Sequence, residues 1–141
     1  MTGTCRFCRD GIDPKKTRIM RKSKYSYVAL AYPRLVKGHL LVIPKRHVER
    51  ISELNNEELI DIMALTRKYC EKVLSFSKGY TVRNNYMPFL TETERKVNHM
   101  HIQIIPRGDS DKIYAKSITL ENTLFERPSK EEIEDVIKRL K

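Results

Sequence analysis

The chain has 141 residues, with 28 lysines and arginines against 18 acidic residues and a formal net charge of +10. That length suits one domain with its own core, and no apolar run approaches the ~20 residues of a membrane span. Met1–Arg6 lacks the apolar stretch of a secretory signal, and three cysteines, an odd number, argue against a disulfide framework and for a reducing, cytoplasmic setting. The charge favours anionic partners: nucleic acid, a polyphosphate nucleotide or an anionic surface. It is scattered, densest over Lys15–Lys22, and no aromatic-rich RNA-binding signature accompanies it.

Cys5-Arg-Phe-Cys8 is the first feature along the chain, a C-x2-C pair whose spacing lets two thiolates reach one tetrahedral ion. A redox pair would follow a strand and open a helix, and this one does neither. A metal needs two further donors. Cys70 lies on the apolar stripe of a predicted helix, where free cysteine packs as a hydrophobe, so His47 and His99 are the remaining candidates. Two free thiols are the alternative.

Lys24–Ala31 reads as a strand closed by Pro33, and His39–Ile43 as a second, entered through Gly38 and stopped by Pro44. The two suit a hairpin. Asn55 with Glu58 predicts a capped helix start, and Leu59, Ile62, Met63, Thr66, Tyr69, Cys70, Val73 and Leu74 recur on one helical face up to a stop at Gly79. Tyr80–Asn84 is a third strand, followed by a loop over 86–97.

The stretch Asn98–Ile105 carries the strongest chemical signal. Polar and apolar residues alternate, so a strand here places His99, His101 and Gln103 on one face and Met100, Ile102 and Ile104 on the other. Several polar groups spaced roughly 7 Å apart on one face suit an active-site wall. Pro106 and Gly108 end the strand. Ser129 with Glu132 predicts a capped short helix to Lys141. The expected fold class is α+β, with helices on one face of an antiparallel sheet.

These pieces together resemble the histidine-triad (HIT) superfamily. The matching segments are Cys5-x2-Cys8, Gly38-His-Leu-Leu-Val-Ile-Pro-Lys-Arg-His47-Val, and His99-Met-His101-Ile-Gln103-Ile-Ile-Pro-Arg107. The resemblance implies a HIT-like antiparallel sheet with one long helix packed on it, over residues 1–108 including an N-terminal zinc-binding segment. Residues 109–141 become a C-terminal extension with a short helix. It further implies structural zinc on Cys5, Cys8, His47 and His99, His101 as the nucleophile with Gln103 beside it, and a homodimer.

The implied activity is hydrolysis or nucleotidyl transfer at the α-phosphate of a nucleotide conjugate, through a covalent nucleotidyl-histidine. Dinucleoside polyphosphates, phosphoramidates and nucleotide sugars are the substrates in view. A neutral imidazole is chemically able to attack phosphorus in this way. Asn84, Asn85, Arg95, Lys96 and Arg107 are the candidate substrate-binding residues.

The chain departs from the family pattern in three places. Gln103 replaces the third histidine, which resembles the uridylyltransferase and dinucleotide-phosphorylase branches. The loop 91–97 has no glycine with which to curl around phosphate. Ala29, Leu30 and Ala31 stand where an acidic residue often holds the ribose. Two other classes fit the sequence: a nucleic-acid end-processing HIT enzyme, supported by the charge, and a non-catalytic zinc-stabilised nucleotide-binding module.

Overall fold

A computed structural model describes residues 5–8 and 18–141. The chain divides into two compact units, Met1–Asp111 and Lys112–Lys141.

The first unit is built on a five-stranded sheet, with β1 (Ile19–Lys22), β2 (Ser26–Leu30), β3 (Leu40–Pro44), β4 (Gly79–Arg83) and β5 (Ile102–Arg107) in the order β1-β2-β3-β5-β4. All four pairings are antiparallel. β2 and β3 form the expected hairpin, Tyr27 opposite Ile43 and Ala29 opposite Leu41. Pro44 is the last residue of β3 and not its stop. β1 carries little strand signal because its sequence, Ile-Met-Arg-Lys, sits inside the basic cluster Lys15–Lys22. Residues 15–17 of that cluster lie outside the described residues.

Gly38 turns the chain into β3 with φ of +83°, a region that side chains other than glycine's strain to enter. A Cβ there would also lie 2.7 Å from the Phe76 ring.

The long helix α1 (Asn56–Val73) begins as its sequence dictates. Asn55 Oδ1 accepts from the Glu58 amide at 2.9 Å, and Glu58 Oε2 accepts from the Asn55 amide at 3.0 Å. Its buried face is Ile62, Leu65, Thr66, Tyr69, Cys70 and Val73. Leu59, Met63 and Leu74, predicted for that face, are partly exposed. Met63 and Leu74 sit roughly 100° round the helix from the centre of the face, and Leu65 takes their place.

The helix packs on one side of the sheet against Val28, Leu40, Val42, Met100, Ile102 and Ile104. Each fully buried aliphatic side chain contributes about 1.5–3 kcal/mol. The opposite side carries Tyr27, Ala29, Ala31, Leu41, Ile43 and Val97, and against these lie Cys5 and Phe7. The sheet therefore separates a helix-packed core from the face that bears the N-terminal segment.

The predicted strand at 98–105 begins later than its alternation suggests. The ladder starts at Ile102, and the Met100 amide donates to the Val48 carbonyl at 2.6 Å. The alternation of faces nonetheless extends back through Met100, which is 1% exposed in the helix-side core. His99 and His101 thus stand just ahead of the ladder, where the chain is freer to direct them.

The second unit contains a π turn (Tyr114–Ile118) running into a helical turn (Thr119–Glu121), then helix α2 (Lys130–Leu140). Ser129 caps α2, its Oγ accepting from the Glu132 amide at 3.1 Å.

Candidate active site and metal cluster

Cys5, Cys8, His47 and His99 each offer one ligand atom, and these four atoms lie within 4.8 Å of one another. Cys5 Sγ is 3.3 Å from His99 Nδ1, and Cys8 Sγ is 3.4 Å from both His47 Nδ1 and His99 Nδ1. A tetrahedral zinc with ordinary Zn–S and Zn–N bonds places sulfur and nitrogen ~3.6 Å apart, so the four donors fit one ion closely. Imidazole geometry supports the fit independently. His99 Nε2 donates to the Pro44 carbonyl at 2.8 Å, which leaves the Nδ1 lone pair directed at the thiols. Burial and the Cys5 thiol beside it push the Cys8 thiol up to about 11. A divalent cation is what brings such a pair to the thiolate form at neutral pH. The cluster can hold a metal.

Two residues along, His101 is arranged in the opposite sense. Its Nδ1 donates to the His99 carbonyl at 2.8 Å, so in the neutral ring Nε2 keeps its lone pair. Asn84 Nδ2 donates to the His101 carbonyl at 2.9 Å and holds the backbone from behind. The Phe7 ring meets His101 edge-on, with centroids 5.1 Å apart. Burial, against the bond to His99, shifts His101 below the ordinary histidine range, and the Arg6 and Arg83 charges act in the same direction. The neutral, nucleophilic form is favoured.

Gln103 is held by His39, a residue that the sequence alone marks only as a strand entrance. The Leu35 amide donates to His39 Nδ1 at 3.2 Å, which puts the ring proton on Nε2. His39 Nε2 then donates to Gln103 Oε1 at 3.0 Å, and Arg83 Nη2 approaches the same oxygen at 3.4 Å. With its oxygen committed to two donors, Gln103 has its amide nitrogen as the group able to donate to a ligand. Burial pushes His39 down to about 4. It is a neutral, fixed prop. The signal for it is its position two residues before Leu41 on the same strand face, but only the pairing of Leu41 with Gln103 reveals the contact.

A cavity of about 380 Å³ opens over His99, His101, His39 and Gln103. Asn85, Arg95 and Lys96 line it, whereas Asn84 acts through the backbone of His101. Lys96 Nζ is shared between the Leu90 carbonyl and Asn98 Oδ1, both at 2.7 Å. The Arg95 and Lys96 amides donate to Thr93 Oγ1, so this glycine-free loop spends two of its amides internally.

Arg107 is not brought to the cavity. It lies at the far end of β5, its guanidinium bonded to Asp111 and Thr81, because the extended strand that starts at Ile102 carries it away. Arg6, Arg34 and Arg83 line the cavity in its stead, with Glu49 and Glu94 as its carboxylates. Ala31 and Tyr32 form part of the wall, and the apolar rim includes Tyr86, Met87 and Pro88.

The family model described as "HIT domain" matches residues 14–110. This chain belongs to the HIT family. It is 34% identical over 107 residues to a HIT-like protein of Methanocaldococcus jannaschii, covering 74% of each chain. It is 32% identical over 101 residues to the asymmetrical bis(5'-nucleosyl)-tetraphosphatase of Schizosaccharomyces pombe, covering 70% of this chain but only 53% of that enzyme. An adenosine 5'-monophosphoramidase of Saccharomyces cerevisiae is 26% identical over 109 residues, 77% of this chain and 66% of that one. This HIT chain thus spans about half to three quarters of these relatives. Among solved structures, a HIT family protein of Bacillus anthracis superposes with TM-score 0.75 at 24% identity, over 99% of this chain and 96% of that one. A zinc-bound histidine-triad protein of Mycobacterium smegmatis gives 0.67 at 21%, over 79% and 81%. Both agree with the antiparallel α+β fold. No helix among the described residues is long and apolar enough to cross a membrane.

Proposed function

We propose that this HIT protein is a nucleotide hydrolase or nucleotidyltransferase acting at an α-phosphate through a nucleotidyl-His101 intermediate. The observation that carries the reading is the orientation of His101, whose Nδ1 is spent on the His99 carbonyl while the ring lines the cavity. The curated relatives named for tetraphosphatase and phosphoramidase activities support the same class.

In this reading the Nε2 lone pair attacks the α-phosphorus, a P–N bond forms, and the bond to the leaving phosphate or amine breaks. The Nδ1 proton stays on the nitrogen and is donated to the His99 carbonyl, which steadies the imidazolium-like charge that develops. Gln103 Nε2 donates to a non-bridging oxygen, while Arg83 and Arg95 neutralise phosphoryl charge and Asn85 positions the nucleotide. Water or a second phosphate acceptor then attacks the phosphorus and frees His101. Because Gln103 cannot deliver a proton to a poor leaving group, substrates with phosphate leaving groups are favoured over amines.

Cys5, Cys8, His47 and His99 would hold zinc, which would fix the segment that carries the two cysteines, and four protein donors would leave water no place on the ion. The HIT-like domain is assigned to residues 1–108, the remainder being an extension. A homodimer is proposed, and a single 16.6 kDa species in sedimentation would exclude it. A cytoplasmic setting would keep Cys5 and Cys8 reduced.

Intact-mass detection of a nucleotidyl adduct on His101, after incubation with dinucleoside polyphosphates, phosphoramidates and nucleotide sugars, tests the proposal. No adduct with any of them, from protein that binds nucleoside monophosphate, points to a binding module instead. The alternative of a nucleic-acid end is favoured by Ala31, which leaves that wall without a carboxylate to read a ribose diol. Strong salt-dependent binding to oligonucleotides would favour it.

A further inference from the structure

The two residues between the metal-cluster cysteines both reach the cavity, and Arg6 does so in an unusual way. Its Nη1 donates to the Glu94 carbonyl at 2.7 Å and its Nη2 to the Tyr32 carbonyl at 2.6 Å. These carbonyls belong to different lips of the cavity. Tyr32 lies in the β2–β3 connection and Glu94 in the long β4–β5 connection, and both line the opening. Ala31 and Val97, at the base of the two lips, share the apolar cluster on the sheet. Above that base, among the described residues, the backbone hydrogen bonds of the Glu94 lip run within it, Thr93 and Lys96 exchanging two.

The backbone of Arg6 is held as firmly as its side chain. Cys5 precedes it and Cys8 follows two residues on, Arg6 to Cys8 being helical, and both thiols are directed at the cluster with His99. The Phe7 carbonyl accepts from the Tyr27 hydroxyl on the sheet face. A charged planar fork with two of its donor groups spent on carbonyls is a brace, since it fixes both distance and angle between its partners.

We propose that Arg6 is a positioning residue that clamps the two lips of the cavity to the metal cluster, so that metal occupancy sets how tightly a nucleotide is held. The clamp works as a chain. Metal fixes Cys5 and Cys8, their turn fixes Arg6, and Arg6 fixes the carbonyls of Tyr32 and Glu94. Loss of metal frees the first link and so loosens both lips, without any ligand touching the ion. This inference rests on the cavity being the nucleotide site, but the clamp itself is tested without a ligand.

Hydrogen exchange is the first readout. In zinc-saturated Arg6→Ala, amides in 31–36 and 92–97 should exchange about tenfold faster than in the wild type, with α1 unchanged and one zinc still bound per chain. Chelating the metal from the wild type should speed the same two segments, and chelating it from Arg6→Ala should add little there. Protection of α1 serves as the control that the fold persists.

Calorimetry with adenosine and adenosine monophosphate is the second readout. Both ligands should weaken in parallel by about tenfold in Arg6→Ala. Arg6→Lys should lie between, because an ammonium lacks the planar fork that spans two carbonyls. Unchanged exchange at both lips in Arg6→Ala overturns the clamp. Loss confined to the monophosphate also overturns it, since Arg6 would then be a phosphate ligand. Faster exchange in a protein that binds neither ligand would leave the clamp standing and remove the nucleotide reading.

Discussion

His99 and His101 are two residues apart on one short approach to β5, yet their rings are set for opposite tasks. His99 gives Nε2 to a backbone carbonyl and aims Nδ1 at two thiols. His101 gives Nδ1 to a backbone carbonyl and keeps Nε2. In each case the choice of nitrogen is made by which carbonyl lies within reach, Pro44 for one and His99 itself for the other. The lesson is that the nitrogen each histidine leaves available is set by its backbone partner, not by its place in a motif. One end of the site is closed by its own donors, and the other is left open for a ligand.

The largest test of that difference is to remove each ring's function in turn. His101→Ala should lower turnover on the order of 10⁴–10⁶-fold, as for loss of a nucleophile, while nucleoside monophosphate binding persists. The melting temperature should fall less than on loss of a cluster cysteine, because the ring offers the cluster no donor atom and touches it only through the Phe7 ring and the His99 carbonyl. Near-normal rates from this variant would erase the contrast and favour a binding module.

Cys5→Ser attacks the closed end and should show the reverse pattern. Zinc content, measured by elemental analysis, should fall below one per chain, and the melting temperature should fall further than in His101→Ala or Gln103→Ala. Turnover per metal-loaded chain should stay within a few-fold of the wild type, since no step passes through the ion. Should Cys5→Ser keep its stability and lose its chemistry, the closed end would have to be redrawn as part of the reaction.

Gln103→Ala sharpens the comparison inside the open end. Removing one oriented donor to a developing charge costs about 10²–10³-fold in rate, well short of the loss at His101. If Gln103 marks a transferase or phosphorylase, added inorganic phosphate should divert product from the nucleoside monophosphate in the wild type. A Gln103→Ala protein with wild-type kcat would show that the His39–Gln103 contact is structural only.

Much of this division is legible in the chain. The alternation from Asn98 places Met100, Ile102 and Ile104 in the core and the polar set on the other side. Asn55 and Glu58 announce the helix start correctly, because a capping box is a local bond between residues three apart. Features that depend on strand order are not legible. His39 reaches Gln103 only because β3 and β5 are neighbours, although 64 positions separate the two residues. Arg107 is close to the signature in sequence but not in space, since an extended strand carries it away. Arg6 is hidden for another reason: nothing in Cys-Arg-Phe-Cys says which way its middle residues point once the cysteines converge.

The smallest effect concerns His39, which separates burial from chemistry. An ordinary histidine titrates near 6.5, whereas burial pushes His39 down to about 4, partly opposed by its bond to Gln103 and reinforced by the Arg83 and His101 charges. The folded state therefore refuses a proton that the unfolded chain accepts as pH falls through about 6.5. Stability from this group is intact above that pH and is lost progressively down to about 4, below which the group adds no further slope. The full loss is on the order of 3 kcal/mol for such a displacement. His39→Gln keeps a donor toward Gln103 but cannot titrate. Urea midpoints between pH 7 and 4.5, taken with saturating zinc so that His47 and His99 are common to both proteins, should converge as the pH drops. Parallel curves for the two proteins would mean that His39 is reached by solvent, and the fixed prop behind Gln103 would have to be abandoned.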